Sequence, residues 1–342
     1  NGSVKLGLTT PGPVTLQANL AELNRQNVTH AILEASSHGL DQRRIDGVSL
    51  TAAAFTNLTR EHLDYHGTFE KYFAAKKRLF AELLPKDGVA ILNADAPEFQ
   101  QLSGLFAGQI ISYGHRGSHL KLRQATPTHS GVAVKLTIME KEADFILPLV
   151  GMFQIQNALC AAGVAIACGA TSTDVIRCLS KLESVPGRMQ LAGTVSGGSV
   201  YVDYAHTPDA LKHALTALRA HTQGRLISVI GCGGDRDPGK RSVMGAISDH
   251  LADVTIVTDD NPRHEDASKI RSQILAAAPD AVEIGDRKKA IQTAIANVNP
   301  ADVLVITGKG HETGQIVGDD ILPFSDLLVA QGAINDVRSE NT

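Results

Sequence analysis

The apolar run VTHAILE near the start of the chain ends in a carboxylate, and two hydroxyls and an imidazole follow it. The run predicts a β-strand that ends at Glu34, and the polar residues 36–38 come directly after it. Open α/β sheets bind ligands at the carboxyl ends of their strands, and folds that use nucleoside triphosphates hold Mg²⁺ with one or two carboxylates and substrate phosphates. Glu34 is therefore a candidate magnesium ligand. The alternative is an exposed glutamate followed by serines that cap a helix.

A second group of polar side chains, His62, Asp64 and His66, alternates along the stretch after the apolar run VSLTAAAFT. This stretch is too polar for a core. Imidazole and carboxylate are zinc donors, and an open fourth position would activate water, so the pattern allows a zinc hydrolase. The alternative is a loop whose histidines have no part in chemistry.

The helical pattern from Thr68 to Leu84 places one lysine within its apolar face. Spacings of three and four residues put Lys76 on the same face as Tyr72 and Phe80. A desolvated ammonium loses proton affinity, so a buried Lys76 could act as a nucleophile near neutral pH, in contrast to Lys77. A lysine that only extends its ammonium to solvent is the simpler interpretation.

Three charged turns, GCGGDRDPGKR, DDNPR and GKGHE, follow apolar runs in the second half of the chain. The first turn is not a dinucleotide fingerprint, because Arg236 stands in place of the third glycine. It is not a complete Walker A loop either, because Arg241 replaces the hydroxyl that would reach magnesium. Arg236 and Arg263 can grip a carboxylate at two points. Asp260 and Glu312 can hold an ammonium, so the turns together predict a site for a zwitterionic amino acid.

The composition favours a globular protein that acts on small ligands. The 342 residues carry a formal net charge of −4 and contain no tryptophan, which argues against nucleic acid as a partner. The four cysteines form no C-x-x-C pair, which is typical of a reducing compartment. The longest apolar stretch, 158–170, is shorter than the roughly 20 residues of a spanning helix. We therefore expect a cytoplasmic protein with no membrane or nucleic-acid partner.

The order of the elements predicts an α/β protein of two domains. Residues 1–186 alternate strands and helices as in a mostly parallel sheet, and a change to period-two alternation between residues 110 and 150 predicts a small antiparallel sheet. The cluster Val185-Pro186-Gly187 predicts the hinge. Residues 187–342 contain five apolar strand signals separated by helix-length segments, which predict a doubly wound, Rossmann-like domain; they are SVYVDYA, RLISVIG, DVTIVTDD, AVEIG and DVLVITG.

Eight segments together give the chain a resemblance to a known family; they are ILEASSHGLDQRR, FTNLTREHLDYHGTFEKYFAAKKRLF, FQIQNALCA, PGRMQ, VDYAHTPDAL, GCGGDRDPGKR, DDNPR and GKGHE. In this order they resemble the blocks of the Mur ligase family, the ATP-dependent amide-forming enzymes of peptidoglycan precursor synthesis. The resemblance runs from Thr9 to about Phe324. It implies a central ATP-binding domain followed by a C-terminal amino-acid-binding domain, in a monomer that uses ATP and Mg²⁺.

The activity that the resemblance implies is the addition of meso-2,6-diaminopimelate to UDP-N-acetylmuramoyl-L-alanyl-D-glutamate. The γ-phosphoryl group of ATP would first pass to the peptide carboxylate, and the amine of diaminopimelate would then attack the acyl phosphate. Arg263 favours diaminopimelate over lysine, because lysine has no second carboxylate to pair with it. A lysine-adding ligase, the zinc hydrolase and a non-catalytic module that binds the amino acid are the alternatives.

The resemblance also implies roles for individual residues. Glu34 and His62 would bind Mg²⁺, and Lys76 would react with CO₂ to become a carbamate that supplies a further carboxylate. The residues implied for the UDP-sugar peptide are Thr9, Thr10, Ser36, Gln42 and Arg44. The residues implied for ATP are Asn157, Arg188 and Asp203. The residues implied for diaminopimelate are Arg236, Asp260, Asn261, Pro262, Arg263, Gly308 and Glu312.

One block of the family, the phosphate-binding loop G-T-x-G-K-T, does not occur in these 342 residues, and neither does the uridine-binding domain. The sequence opens at Asn1 without a methionine and runs almost at once into VKLGL, which indicates a cut inside a domain. We therefore expect these residues on their own to be inactive or nearly so, whereas the full-length protein would be a ligase.

Overall fold

The strands of the first half form one six-stranded sheet. The computed structural model describes residues 9–59, 62–128 and 131–340. In their order across the sheet, the strands are β1 (Ala52–Phe55), β2 (Val89–Asn93), β3 (Gln109–Gly114), β4 (Leu120–Thr128), β5 (Gly131–Ile138) and β6 (Lys141–Leu147). The first three run parallel, and the run 89–92 is buried throughout, as expected of a strand covered on both faces. In β5 the buried side chains alternate at Val132, Val134, Leu136 and Ile138, which follows the predicted change of period.

Two of the helices of the first half begin at residues whose side chains accept a hydrogen bond from a free backbone amide. The helices of this half are α1 (Pro13–Arg25), α2 (Ser37–Asp41), α3 (Leu63–His66), α4 (Phe69–Arg78), α5 (Phe99–Leu105), α6 (Met152–Ala167) and α7 (Ser172–Leu179). Ser36 caps α2 by accepting a hydrogen bond from the Gly39 amide, and Thr68 caps α4 by accepting one from Lys71. The predicted helix over 68–84 is α4 continued by a π-helical turn, Leu79–Leu83.

The strand predicted to end at Glu34 is absent. Residues 27–36 contain no β-strand, and 87% of the Ile32 surface is exposed. Among the described strands, β1 pairs only with β2, so the segment takes no ladder hydrogen bonds from β1. β-Branched residues form a strand only where a neighbouring strand pairs with their backbone N–H and C=O groups. The composition of this segment was therefore not sufficient to predict a strand.

The second half forms a six-stranded sheet that is parallel except at one edge. In their order across the sheet, the strands are β11 (Val282–Glu283), β10 (Val254–Val257), β9 (Leu226–Ile230), β12 (Val303–Thr307), β8 (Gly198–Asp203) and β7 (Gln190–Val195). The β7–β8 pair is antiparallel, and the other pairs are parallel. All five predicted strands are present. The predicted α/β class with a doubly wound second sheet is confirmed.

Helices cover both faces of this second sheet and create two apolar cores. The helices are α8 (Pro208–Arg219), α9 (Gly239–Leu251), α10 (Ala267–Leu275), α11 (Arg287–Ala296) and α12 (Asp326–Glu340). One core includes Leu211, Leu215 and Met244, and the other includes Ile291 and Ile295. A two-stranded hairpin, β13 (Gly314–Val317) and β14 (Asp320–Pro323), precedes α12. The strands are thus fixed from both sides, and the turns at their ends remain accessible.

By internal packing the chain divides into two units. The first contains most of the chain up to Leu179, and the second contains the remainder together with Ala125–Ala133 and Ile146–Gln154. The domain boundary at residues 186 and 187 stays a prediction. In the part of the chain that the structure describes, no helix is both long and apolar enough to cross a membrane.

Candidate functional site

A cavity of about 800 Å³ in the first unit brings four predicted site residues together: Glu34, Ser36, His62 and Lys76 line its wall. Each comes from a different place in the fold, namely the extended segment before α2, the N-cap of α2, the N-cap of α3 and the last turn of α4. His62 has a left-handed backbone conformation (φ 56°) that only a few per cent of non-glycine residues adopt. The cavity therefore contains a carboxylate, an imidazole and an amine.

The buried ring of Tyr72 lies beside both His62 and Lys76. The Lys76 Nζ is 5.4 Å from the centroid of that ring, and the His62 ring meets it edge-on with centroids 5.8 Å apart. Lys76 is partly buried rather than fully buried, and it shares the cavity wall with Tyr72 and Phe80, as the helical spacing predicts. Aromatic and apolar walls on one side reduce the hydration of the ammonium.

The zinc interpretation of His62, Asp64 and His66 finds no support. His66 is buried, its Nε2 lies 3.0 Å from Ser37 Oγ, and its ring packs on Tyr72. The Asp64 side chain lies outside the described atoms. Among the side chains that are described, no three histidine, cysteine, aspartate or glutamate residues are grouped to hold a metal ion. His66 therefore has a packing role against α2.

Four of the five residues assigned to the UDP-sugar peptide form one hydrogen-bonded network. Thr10 Oγ1 accepts from the Ser36 amide at 2.9 Å and donates to the Glu34 carbonyl at 2.8 Å. Arg44 donates to the Thr10 carbonyl at 2.7 Å, and its Nε donates to Gln42 Oε1 at 3.0 Å. Segments that are 26 and 34 residues apart are thereby fixed beside one another. Side chains held in this way have little conformational entropy left to lose on binding a ligand.

Tyr65 extends this network, and nothing in the sequence singled it out. Its hydroxyl accepts from Gln42 Nε2 at 3.0 Å and donates to Asp41 Oδ2 at 2.8 Å, and its ring lies 4.1 Å from that of His38. Thr9, the fifth predicted residue, is exposed next to the network. The alternation of polar residues in HLDYH indicates a site, but only the fold shows that the tyrosine reaches Gln42.

Two of the three residues assigned to ATP lie together at the end of β8. Asp203 accepts hydrogen bonds from the amides of Met189 and Ala205 at 2.7 and 2.8 Å. The Arg188 guanidinium lies over the Tyr204 ring, 4.8 Å from its centroid. The third residue, Asn157, is exposed on α6, in the first unit. Asp203 therefore joins the end of β8 to the segment that carries Arg188.

A cavity of about 690 Å³ in the second unit contains all but one of the residues assigned to the amino acid. Strands β10, β9 and β12 are neighbours and parallel, so the turns after them meet at one edge of the sheet, as predicted. The predicted residues that line the cavity are Arg236, Asp260, Asn261, Arg263, Gly308 and Glu312. The remaining residue, Pro262, lies in the same turn as Arg263 and does not line it.

The backbone of these turns is held in conformations that bring charged groups close together. Arg263 has a left-handed backbone (φ 51°), and its Nη1 donates to the Gly234 carbonyl at 2.8 Å. Gly308 has φ 114°, and a Cβ there would overlap the Asp260 carboxylate. Glycine is required at this position for both reasons. The cavity thus places arginine side chains and carboxylates around one space.

Comparisons with known proteins agree with this architecture. Residues 2–165 match the family description "Mur ligase middle domain", and residues 187–310 match "Mur ligase, glutamate ligase domain". A UDP-N-acetylmuramoyl-L-alanyl-D-glutamate--2,6-diaminopimelate ligase of Brucella melitensis is 51% identical over 331 residues, which cover 96% of this chain and 68% of that protein. The chain belongs to the Mur ligase family. A ligase of the same name from Caulobacter vibrioides is 51% identical over 335 residues, or 97% of this Mur ligase and 69% of the relative.

Solved Mur ligase structures share the fold. A structure of a UDP-N-acetylmuramoyl-L-alanyl-D-glutamate--2,6-diaminopimelate ligase matches with a TM-score of 0.71 and 33% identity, and the match covers 96% of this chain and 68% of that one. The MurF ligase of Thermotoga maritima, solved in complex with ADP, matches with a TM-score of 0.62 at 16% identity over 87% of this chain and 64% of that one. The second likeness concerns the fold alone.

One residue next to the second cavity of this Mur ligase, Lys309, was not predicted from the sequence. Lys309 is fully buried and donates to Asn261 Oδ1 at 2.9 Å and to Glu312 Oε2 at 2.8 Å. The carboxylate that was expected to hold a ligand's ammonium therefore already accepts a hydrogen bond from a protein ammonium. Burial opposes the ionisation of Glu312, but the hydrogen bonds from Lys309 and Asn261 outweigh burial and lower the pKa of its carboxyl group.

Proposed function

We propose that this Mur ligase adds meso-2,6-diaminopimelate to UDP-N-acetylmuramoyl-L-alanyl-D-glutamate at the expense of ATP, in peptidoglycan precursor synthesis. The observation that carries the proposal is the second cavity, where Arg236 and Arg263 stand with Asp260 and Glu312 around one space. A molecule with two ammonium and two carboxylate groups is complementary to that set. Relatives that are 51% identical bear the name of this activity.

The reaction follows from the weakness of a free carboxylate as an electrophile. Transfer of the γ-phosphoryl group of ATP to the terminal carboxylate of the nucleotide peptide gives an acyl phosphate and ADP. The neutral amine of diaminopimelate then forms the C–N bond, phosphate leaves with the electron pair of the C–O bond, and the amine loses a proton. Ser36, Thr10, Gln42 and Arg44 are proposed to hold the nucleotide peptide, and Thr9 lies beside them. Asn157, Arg188 and Asp203 are proposed to hold ATP.

The first cavity offers donors that suit Mg²⁺ if Lys76 is carbamylated. The ammonium of Lys76 would first lose a proton, and the neutral amine would then add to CO₂ with loss of a second proton. An anion with two oxygens would thereby replace a cation. Glu34, His62 and the carbamate would then hold the metal, since magnesium prefers oxygen ligands and only one carboxylate is otherwise present in this set. When bound, the metal would offset repulsion between the carboxylate nucleophile and the triphosphate.

The acceptor amino acid is tested by comparing diaminopimelate with lysine in the full-length gene product. We expect phosphate release with diaminopimelate and little with L-lysine. Arg263→Ala should reduce the ratio of the two kcat/KM values by roughly 10- to 100-fold, because the second carboxylate loses its charged partner. Arg25→Ala, at the exposed end of α1, is the matched control. Equal use of both amino acids by the unaltered enzyme would instead assign a lysine-adding ligase.

The 342-residue polypeptide alone should turn over ATP at least about 100-fold more slowly than the full-length gene product, because the G-T-x-G-K-T segment does not occur in its sequence. The measurement is diaminopimelate-dependent ADP release by both preparations at equal concentration. Equal rates would show that other residues of the chain can hold the phosphates.

We also propose that the enzyme acts as a monomer in the cytoplasm, where ATP and nucleotide sugars are available.

A further inference from the structure

Lys309 contributes a charge to the second cavity region without facing the cavity. Its side chain is completely buried, and it is not among the residues that line the cavity. A buried ammonium is costly unless it is paired and hydrogen-bonded, and both partners of Lys309, Asn261 and Glu312, do line the cavity. Lys309 therefore links the turn after β10 to the turn after β12 through hydrogen bonds on the side of these turns that faces away from the cavity.

The hydrogen bonds leave the two oxygens of Glu312 in different states. Oε2 accepts from Lys309 Nζ at 2.8 Å and from Asn261 Nδ2 at 3.0 Å. Asn261 is itself oriented, because its Oδ1 accepts from Lys309 and from the Ile316 amide at 2.9 Å. These bonds all converge on Oε2, so Oε1 keeps its capacity to accept a hydrogen bond from a ligand.

We propose that Lys309 is a positioning residue for the amino-acid substrate: it keeps Glu312 ionised and occupies one carboxylate oxygen, so that the other accepts an ammonium group of diaminopimelate. This inference rests on the proposed function. Glu312 is about one-third exposed and loses hydration on one side, so without the buried ammonium its carboxyl would take up a proton more readily. A neutral carboxyl group gives up the charge-assisted part of its bond to an ammonium.

Other charged groups also act on Glu312, and they set the background for any change with pH. Arg263 acts on it from the turn after β10, and the buried Arg287 acts on it from α11. The remaining charged or titratable groups of the cavity are Asp260, Arg236, Asp237, Lys240, His206 and Tyr204. Lys309 is the cation hydrogen-bonded to Glu312, so its removal should have a larger effect on Glu312 than removal of any other of these cations.

The test is a double-mutant cycle in the full-length gene product with Lys309→Met and Glu312→Gln. Lys309→Met should raise the KM for diaminopimelate by roughly 10- to 100-fold while kcat and the KM for ATP change by less than about 3-fold. In the Glu312→Gln background the same change should add little, because the charge that it supports is already absent. Lys309→Arg should restore part of the affinity. Lys289→Met, on the exposed face of α11, is the matched control.

The pH dependence separates positioning from mere stabilisation of the fold. Without Lys309 the carboxyl group of Glu312 should take up its proton at a higher pH. As the pH is lowered, the KM for diaminopimelate should therefore begin to rise earlier in Lys309→Met than in the unaltered enzyme. Additive effects in the cycle, or equal rises in the KM for all three substrates, would overturn the inference. The ¹³C carboxyl resonance of Glu312, titrated in the 342-residue chain and in both lysine variants, gives the same comparison without turnover.

These measurements also distinguish the two proposals. An unaltered full-length enzyme without diaminopimelate-dependent turnover would refute the proposed function, and the carboxyl titration would still decide whether Lys309 controls Glu312. Normal turnover combined with an unshifted Glu312 titration in Lys309→Met would refute the inference alone. If Lys309→Met does not fold, Lys309→Arg is compared with Glu312→Gln. The KM for diaminopimelate should then lie closer to that of the unaltered enzyme in Lys309→Arg than in Glu312→Gln.

Discussion

Replacing Lys76 by alanine is expected to lower kcat for ADP release by about 100- to 1,000-fold in the full-length gene product, with a smaller change in the KM for diaminopimelate. Lys76 lines the first cavity together with Glu34 and His62, whereas the amino acid is proposed to bind in the second cavity. Loss of the proposed carbamate would remove a negative group from the proposed magnesium set, which weakens the phosphoryl-transfer step and leaves the amino-acid site intact.

Lys77→Ala is the matched control for this experiment. Lys77 is partly buried on the same helix and does not line the cavity. Its replacement by alanine changes the helix propensity by the same amount as Lys76→Ala does. With ¹³C-labelled bicarbonate, the unaltered enzyme and Lys77→Ala should both show a carbamate carbon resonance that Lys76→Ala lacks. Added short carboxylic acids should restore part of the lost rate by supplying the missing oxygens. Full activity of Lys76→Ala would refute the carbamate.

Replacing Asp326 by alanine should destabilise the second unit by about 3–5 kcal/mol, because it leaves a buried guanidinium without its counter-ion. Arg287 and Asp326 are both fully buried and form a two-point pair, with both hydrogen bonds at 2.7 Å. Arg287 also donates to the carbonyls of Thr307 at 2.8 Å and Asp259 at 3.2 Å. These carbonyls directly precede Gly308 and Asp260, so the pair supports two of the turns that line the second cavity.

Chemical denaturation of the 342-residue chain measures this effect as the change in free energy of unfolding of the second unit. The exposed pair of Asp209 and His213, in the same unit, is the control, and Asp209→Ala should cost less than about 1 kcal/mol. The double variant Arg287→Met and Asp326→Leu should recover most of the stability, since no unpaired charge then remains. A small loss for Asp326→Ala would mean that water reaches Arg287.

The edge of the second sheet was predictable from the sequence, whereas the contacts behind it were not. Apolar runs separated by helix-length segments predict parallel strands, and parallel strands bring DDNPR and GKGHE together at one edge. The burial of Lys309 depends on Asn261, which is 48 residues away, and neither spacing nor composition reports such a pairing. Individual ligand roles came from the family resemblance, because residue types alone allow several ligands.

The first half shows where local signals mislead. The pattern of His62, Asp64 and His66 is compatible with zinc until Ser37, 29 residues away, is seen to lie against His66. The segment before Glu34 has strand composition, but strand formation depends on a neighbour that no property of the segment itself supplies. Lys76, in contrast, was correctly placed on its helix face, because helical periodicity is a local property.

The turns after β9, β10 and β12 that line the second cavity begin only after the last paired residues of these strands. The proposed recognition of the acceptor and the pairing of the strands therefore depend on different residues. If the second cavity binds the acceptor as proposed, exchange of a turn side chain such as Arg263 would change the preferred acceptor and leave the hydrogen bonds between the strands in place.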